Sequence, residues 1–290
     1  MRLGETMARC ASETCTTWRP DVLAGRWGVR IDDQWFCSQG CVEQMLRRLL
    51  ADVPAAPAAP LMPGPPHLRL GVLLRHHGAL SADQLHHALE QQRTSGLRLG
   101  AQAKAMYGVD GALVLKALAA QAGARYLTAI DPATVRDAPG GLSREAILAL
   151  GLIPFSQPDE RRAVRVASKA PVRWDAVKAL RRLAEWNPEL YLVEDDTWTQ
   201  LLEHYGQASD AAAPRAGASI RANGVLVRDQ QEAVTQIANI ATASRKAHLA
   251  DAHWDPYTMV RVQADRIVQD VLFSRTVGEE TSWQAANTSR

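Results

Sequence analysis

The chain has 290 residues, with 33 Lys plus Arg against 31 Asp plus Glu and 47% hydrophobic residues, the composition of an ordinary globular protein of two or three units. A net charge of +2 supplies no global field for gripping nucleic acid or an anionic membrane, so any such partner needs a local patch. No run approaches the ~18 apolar residues of a membrane span, and the first thirty residues carry no secretory-signal pattern, so the chain is expected in the cytoplasm.

All four cysteines fall within the first 41 residues. Disulfides rarely persist in a reducing compartment, so these thiols read as metal ligands. Cys10 and Cys15 form CxxxxC, Cys37 and Cys41 form CxxxC, and 21 residues separate the pairs, a usable layout for a closed tetrahedral thiolate site. A structural zinc is favoured over unligated thiols or an iron–sulfur or redox role, since no CxxC redox motif is present. The string WFCSQGCVEQML puts the second pair where an aromatic-bearing strand turns into a helix, a context that resembles treble-clef fingers of the TRASH and MYM type. So short a module buries little surface, and metal binding would supply its folding energy.

Six prolines in the fifteen residues 52–66 predict a semi-extended spacer. Beyond it the periodicity is helical: Ser81 and Gln84 form a capping box ahead of Leu85, Ala88, Leu89 and Gln92, and Gly96 stops that helix. Asp110 caps an equivalent helix, stopped by Gly123. From Ser143 the texture becomes helix, strand, turn, strand, helix, strand, helix, which predicts a small α/β sandwich.

The most informative feature is a duplication. RLGVLLRHHGALSADQLHHALEQQ at 69–92 recurs as RLGAQAKAMYGVDGALVLKALAAQ at 98–121, with RTSGL between the copies. This arrangement resembles the MshEN domain, the amino-terminal domain of type II secretion and type IV pilus assembly ATPases. In that family the motif RLGxxLxxxGxIxxxxLxxALxxQ occurs twice and binds cyclic di-GMP. The first copy matches at Arg69, Leu70, Gly71, Leu74, Gly78, Leu85, Ala88, Leu89 and Gln92, with Leu80 in place of the isoleucine. The second keeps Arg98, Leu99, Gly100, Ala117, Leu118 and Gln121. It carries Ala103 where the motif has leucine and Tyr107 where it has glycine, with Gly108 one position late. The resemblance extends through about residue 205 and implies a domain over 67–205, with a ligand site built from Arg69, Leu70, Gly71, Leu74, Gly78, Leu85, Ala88, Leu89, Gln92, Arg98, Leu99, Gly100 and Gln121.

The chemistry suits such a ligand. A two-fold symmetric dinucleotide can be held half by each copy of one loop–helix unit. Arg69 and Arg98 can pair with guanine O6/N7, stack on a base or neutralise phosphate. Glycine at 71 and 100 would allow close backbone approach, and amides near a helix start can donate to ligand acceptors. Residues 67–128 carry seven Arg/Lys against three Asp/Glu, a local positive excess. Ala103 removes apolar contact, and Tyr107 either blocks the pocket or stacks on a base, which leaves the second half-site the weaker one. Core packing alone accounts for the leucines, so a protein-docking domain without nucleotide remains the competing reading.

The family's ATPases continue into a hydrolytic engine, but this chain holds no GxxxxGK[ST] motif, and no catalytic residues are assigned. His76, His77, His86 and His87 read as solvated or stacking, and the Arg161/Arg162 and Arg181/Arg182 pairs as solvated faces. Trp174, Trp186, Trp198 and Trp254 read as packing residues. Residues 206–218 read as a flexible linker. In the tail, 229–247 predicts a helix, TMVRVQ and IVQDVLF a hairpin around Ala264, Asp265 and Arg266, and Asp255-Pro256 beside His253 and Tyr257 a turn rather than a catalytic site.

The expected fold is thus multi-domain α+β: a small zinc-binding module over 1–51, a helical tandem-motif subdomain with a compact α/β subdomain, and a small α+β tail over 219–290. The expected function is a non-catalytic adaptor or sensor related to type II secretion or type IV pilus assembly, with a protein partner and cyclic di-GMP as ligand. The alternative is a nucleic-acid-binding regulator whose zinc module contacts phosphate through Arg9, Arg19, Arg26 and Arg30.

Overall fold

The computed structural model describes residues 7–51, 68–135, 142–211, 222–265 and 267–274. The Pro-rich spacer and Arg266 lie outside the described residues. The chain forms two compact units, one drawn from Met1–Pro57, Gly140–Ala149 and Ser219–Arg290, the other from Ala58–Pro139 and Leu150–Ala218.

The first unit begins with a two-stranded antiparallel ribbon, β1 (Met7–Arg9) and β2 (Trp18–Pro20), and a one-turn helix α1 (Asp21–Ala24). The hairpin β3 (Val29–Ile31) and β4 (Gln34–Phe36) leads into α2 (Gln39–Ala51). Strand, turn and helix therefore follow one another across Cys37 and Cys41 in the expected order. Asp32 and Asp33 take φ of 47° and 66° in the β3–β4 turn, a region that Asp tolerates better than bulkier residues.

The second unit opens with four helices, α3 (Leu70–His76), α4 (Ala82–Ser95), α5 (Leu99–Tyr107) and α6 (Gly111–Ala122). The Ser81 hydroxyl accepts from the Gln84 amide at 3.1 Å while the Gln84 side chain accepts from the Ser81 amide at 2.8 Å, a complete capping box. Asp110 caps α6 through the Ala112 amide at 3.1 Å, and Gly96 and Gly123 end α4 and α6 in the left-handed conformation. Leu73, Leu74, Leu80, Ala103, Val109, Val114 and Ala117 form their core.

After β5 (Arg125–Tyr126) and the helix α7 (Arg144–Leu150) come β6 (Ile153–Pro154), β7 (Ala163–Ser168), α8 (Trp174–Ala184), β8 (Asn187–Leu192) and α9 (Asp195–Ala211). The sheet order is β5-β8-β7-β6, with β7 parallel to β8, β8 to β5, and β6 antiparallel at the edge. The amphipathic face of α8 buries Ala176, Val177, Leu180 and Leu183, and fully burying such a Leu or Val contributes about 1.5–3 kcal/mol. The helix α9 continues to Ala211, so the stretch expected as linker from 206 begins as helix; residues 212–218 lie outside the described residues.

The tail contributes β9 (Ala222–Val227), α10 (Gln230–Ala243), β10 (Lys246–Trp254), β11 (Tyr257–Ala264) and β12 (Ile267–Ser274). The expected hairpin is β11–β12, closing with Ala264 opposite Ile267. Sequence composition places 1–51 and 219–290 in separate pieces; in the structure strands from both lie in one six-stranded sheet, β4-β3-β10-β11-β12-β9. The junction is parallel pairing of Arg30 and Ile31 with Lys246 and Ala247. Phe36, Val42 and Leu46 from the Cys-bearing segment share a core with Ile237, Val260, Val262 and Val271 from the tail. On the other face of β11 and β12, the Asp270 carboxylate accepts from Arg261 and from the Ser143 amide that precedes α7. Residues 142–149, expected within the 67–205 domain, thus pack with the first unit.

Candidate functional site

The four cysteines converge. Cys10 follows β1, where its amide donates to the Thr17 carbonyl at 3.0 Å; Cys15 closes a turn by donating to the Ser12 carbonyl at 3.0 Å. Cys37 follows β4 and Cys41 lies in the first turn of α2. All four Sγ atoms lie within 4.8 Å of one another, with Cys15–Cys37 at 3.5 Å and Cys37–Cys41 at 3.7 Å. Four sulfurs held about 2.3 Å from one zinc ion would stand roughly 3.8 Å apart, so the spacing fits a tetrahedral site. It is the single metal-competent cluster of His, Cys, Asp and Glu among the described residues.

The thiols are electrostatically unequal. Thr17 Oγ1, 3.2 Å from Cys15 Sγ, and the Thr17 backbone hold the Cys15 thiol down at about 6. Burial pushes Cys10 up to about 12 and raises Cys37. The cluster sits against Ala24 and Trp35, whose Nε1–H donates to the Ala24 carbonyl at 2.9 Å.

The tandem motif folds into a pseudo-two-fold pair. Helix α3 packs on α6, and α4 on α5. A methyl placed on Gly71 would lie 2.8 Å from Leu85 Cδ1 and 3.4 Å from Leu99 Cδ2; on Gly100 it would lie 2.8 Å from Val114 Cγ1 and 3.8 Å from Leu70 Cδ2. Each glycine is buried by the second helix of its own motif and the first leucine of the other. A side chain at either position would have to displace these leucine or valine methyls, so both glycines serve close helix–helix packing rather than an opening for a ligand.

Arg69 and Arg98 occupy equivalent N-cap positions of α3 and α5, both in extended backbone and both exposed. Neither has an ion-pair partner among the described residues. Of the other expected ligand residues, Gly78 and Leu89 are exposed, and Leu70, Leu85, Gln92, Leu99 and Gln121 are half-buried. Leu74 and Ala88 have no exposure. They pack in the core of the helices and present no surface to a ligand. Gln121 donates to the Leu68 carbonyl at 3.1 Å, so the last residue of the second motif secures the start of the first.

The second copy's departures have local reasons. Ala103 is fully buried in the same core as Leu74, which makes the change one of packing. Tyr107 remains helical, so no glycine is required there, and Gly108 takes the left-handed turn at φ 63°. The Tyr107 hydroxyl lies 2.9 Å from His87 Nδ1 on α4, and the rings meet edge-on. His86 pairs with Glu90 at 3.2 Å, a solvated helix-face contact.

The other expectations for isolated residues resolve similarly. Trp186, Trp198 and Trp254 are buried. His253 sits between Asp251 at 3.0 Å and the buried Thr258 at 3.2 Å, on the strands flanking the Asp255-Pro256 turn. Trp18 and Trp27, singled out by no motif, are both exposed; the clustering of Trp, Arg and aliphatic residues before residue 28 was the available signal.

No protein-family profile matches the chain, and no curated protein matches it. Among solved structures the chain is similar to one described as MshE with cdg, at 26% identity over 48% of this chain and 98% of that one, with a TM-score of 0.39. It is also similar to the N-terminal domain of XpsE, at 20% identity over 47% of this chain and 92% of that one (TM-score 0.32), and to that domain in a second crystal form, at 17% identity over 46% and 90% (TM-score 0.26).

Proposed function

We propose that the chain is a non-catalytic adaptor or sensor, placed in the cytoplasm, whose tandem-motif unit binds cyclic di-GMP. The observation that carries this reading is the pair Arg69 and Arg98: two exposed guanidinium groups, without an ion-pair partner among the described residues, at equivalent helix starts, each heading an Arg-Leu-Gly. A ligand with two guanines and two phosphates offers each arginine the same partner. Leu70, Leu85, Leu89, Gln92, Leu99 and Gln121 retain enough exposure to line such a site. Secretion or pilus machinery supplies the protein partner on this reading, and Cys10, Cys15, Cys37 and Cys41 hold a structural zinc that catalyses nothing.

Titration calorimetry with cyclic di-GMP tests the reading. Arg69→Ala and Arg98→Ala should each weaken binding by about 1–3 kcal/mol if the side chain pairs with guanine, with thermal melts unchanged because both side chains are exposed. No heat from the native protein, or equal affinities across the three, would refute it and leave the protein-docking reading, which the exposed Leu68, Val72, Leu89 and Leu97 favour.

A further inference from the structure

The ribbon and one-turn helix in front of the cysteine cluster carry an apolar, cationic tip with no role in the cluster itself. Val22 is 82% exposed, Trp27 59% and Trp18 54%, with Leu23 exposed beside them. Ala24, next to Leu23 in the one-turn helix, is fully buried against Cys10 and Trp35 and its carbonyl is held by the Trp35 indole, which anchors this helix with Val22 and Leu23 left exposed. The Arg9 guanidinium lies 5.5 Å from the Trp18 ring centroid, and the Arg19 guanidinium 5.3 Å from that of Trp27. Arg26 is exposed between Leu23 and Trp27.

The charge of the tip is one-sided once pairing is considered. Among the described residues the neighbouring acids are engaged: Asp21 with Arg30, Glu13 with Arg48, Asp32 with His248 and Asp33 with Lys246. Arg9, Arg19 and Arg26 have no acidic partner among the described residues. Exposed aliphatic side chains, exposed tryptophans and arginines without an acidic partner among the described residues match the layers of a bilayer surface. Val and Leu enter the acyl boundary, indoles prefer the headgroup level, and guanidinium groups meet anionic phosphates. A single-stranded nucleic acid fits less well, since each arginine covers a ring face that a base would need and Val22 and Leu23 offer no stacking plane.

We infer that this tip docks the protein on the surface of an anionic lipid membrane, peripherally and independently of any ligand at the tandem motif. The test is co-sedimentation of the zinc-loaded full chain with phosphatidylcholine vesicles, with and without phosphatidylglycerol, and with a single-stranded oligonucleotide as competitor. Expected are enrichment on the anionic vesicles, a blue shift of tryptophan emission, and decline with added salt. Val22→Asp with Leu23→Asp should lower partitioning at least about tenfold, as loss of two buried aliphatic groups requires. Arg26→Glu, in an exposed loop, should lower it about fivefold or more. Zinc content equal to the native protein shows that each variant is folded; if the double variant loses zinc, Arg26→Glu decides alone. Equal binding to both vesicle types, native-like binding by Arg26→Glu, or displacement from vesicles by the oligonucleotide would overturn the proposal.

Discussion

Asp270 has no solvent exposure and spends its carboxylate on three donors: Arg261 Nε at 2.8 Å, Arg261 Nη2 at 3.2 Å and the Ser143 amide at 2.8 Å. A bidentate Arg–carboxylate pair of this kind compensates for the desolvation of both ions only while intact. Asp270→Ala leaves Arg261 charged and buried, and leaves the start of α7 without its acceptor. Chemical denaturation should register a loss of about 3–5 kcal/mol. A loss under 1 kcal/mol would mean that water reaches the site. The glycines of the tandem motif teach a related lesson at the same scale. Arg-Leu-Gly was legible as a repeated unit, but the string does not say whether the glycine faces a ligand or a leucine, because both demand the absence of a side chain.

Among the elements, the cysteine cluster is the one whose chemistry depends on pH. Cys15 is depressed to about 6 by Thr17, so its thiolate contributes to the metal-free fold above its unfolded value near 8.5, and that contribution is lost as pH falls through about 6. Cys10 is raised by burial, so it favours the metal-free fold while protonated, and zinc must displace its proton. Zinc uptake at neutral pH should therefore release fewer protons than there are thiols, read by calorimetry in buffers of different ionisation heat. Release of one proton per cysteine would contradict the role of Thr17. The cysteine spacing announced this cluster because short loops fix which ligands can meet. Helix boundaries were equally legible wherever a cap or a left-handed glycine carried the signal, as at Ser81, Gly96, Asp110 and Gly123. The three-residue strands β3 and β4 were not resolved as a hairpin, since such short runs hold too few residues to display alternation.

For the molecule as a whole, composition located the Pro-rich break but could not reveal which pieces pair across it. Parallel pairing of two residues of β3 with β10 leaves no periodicity in either strand, and the shared core of Phe36, Val42 and Leu46 with Ile237 and Val260 looks locally like the faces of two unrelated elements. Removing residues 1–51 strips α2 from α10 and uncovers that core. The fragment 219–290 expressed alone should show no cooperative thermal transition, whereas adding back 1–51 in trans should restore one. A cooperative melt of the fragment alone would show that the tail is self-sufficient.

The placement of β3 beside β10 also bears on biosynthesis. The ribosome delivers the cysteines well before their sheet neighbour, which follows only once the whole tandem-motif unit has emerged. For that interval the nascent cysteine-bearing segment has its thiols but an unpaired strand edge and an uncovered Phe36. Early capture of metal would hold the hairpin and α2 in register until β10 arrives, so that the ion serves as a placeholder for a partner not yet made.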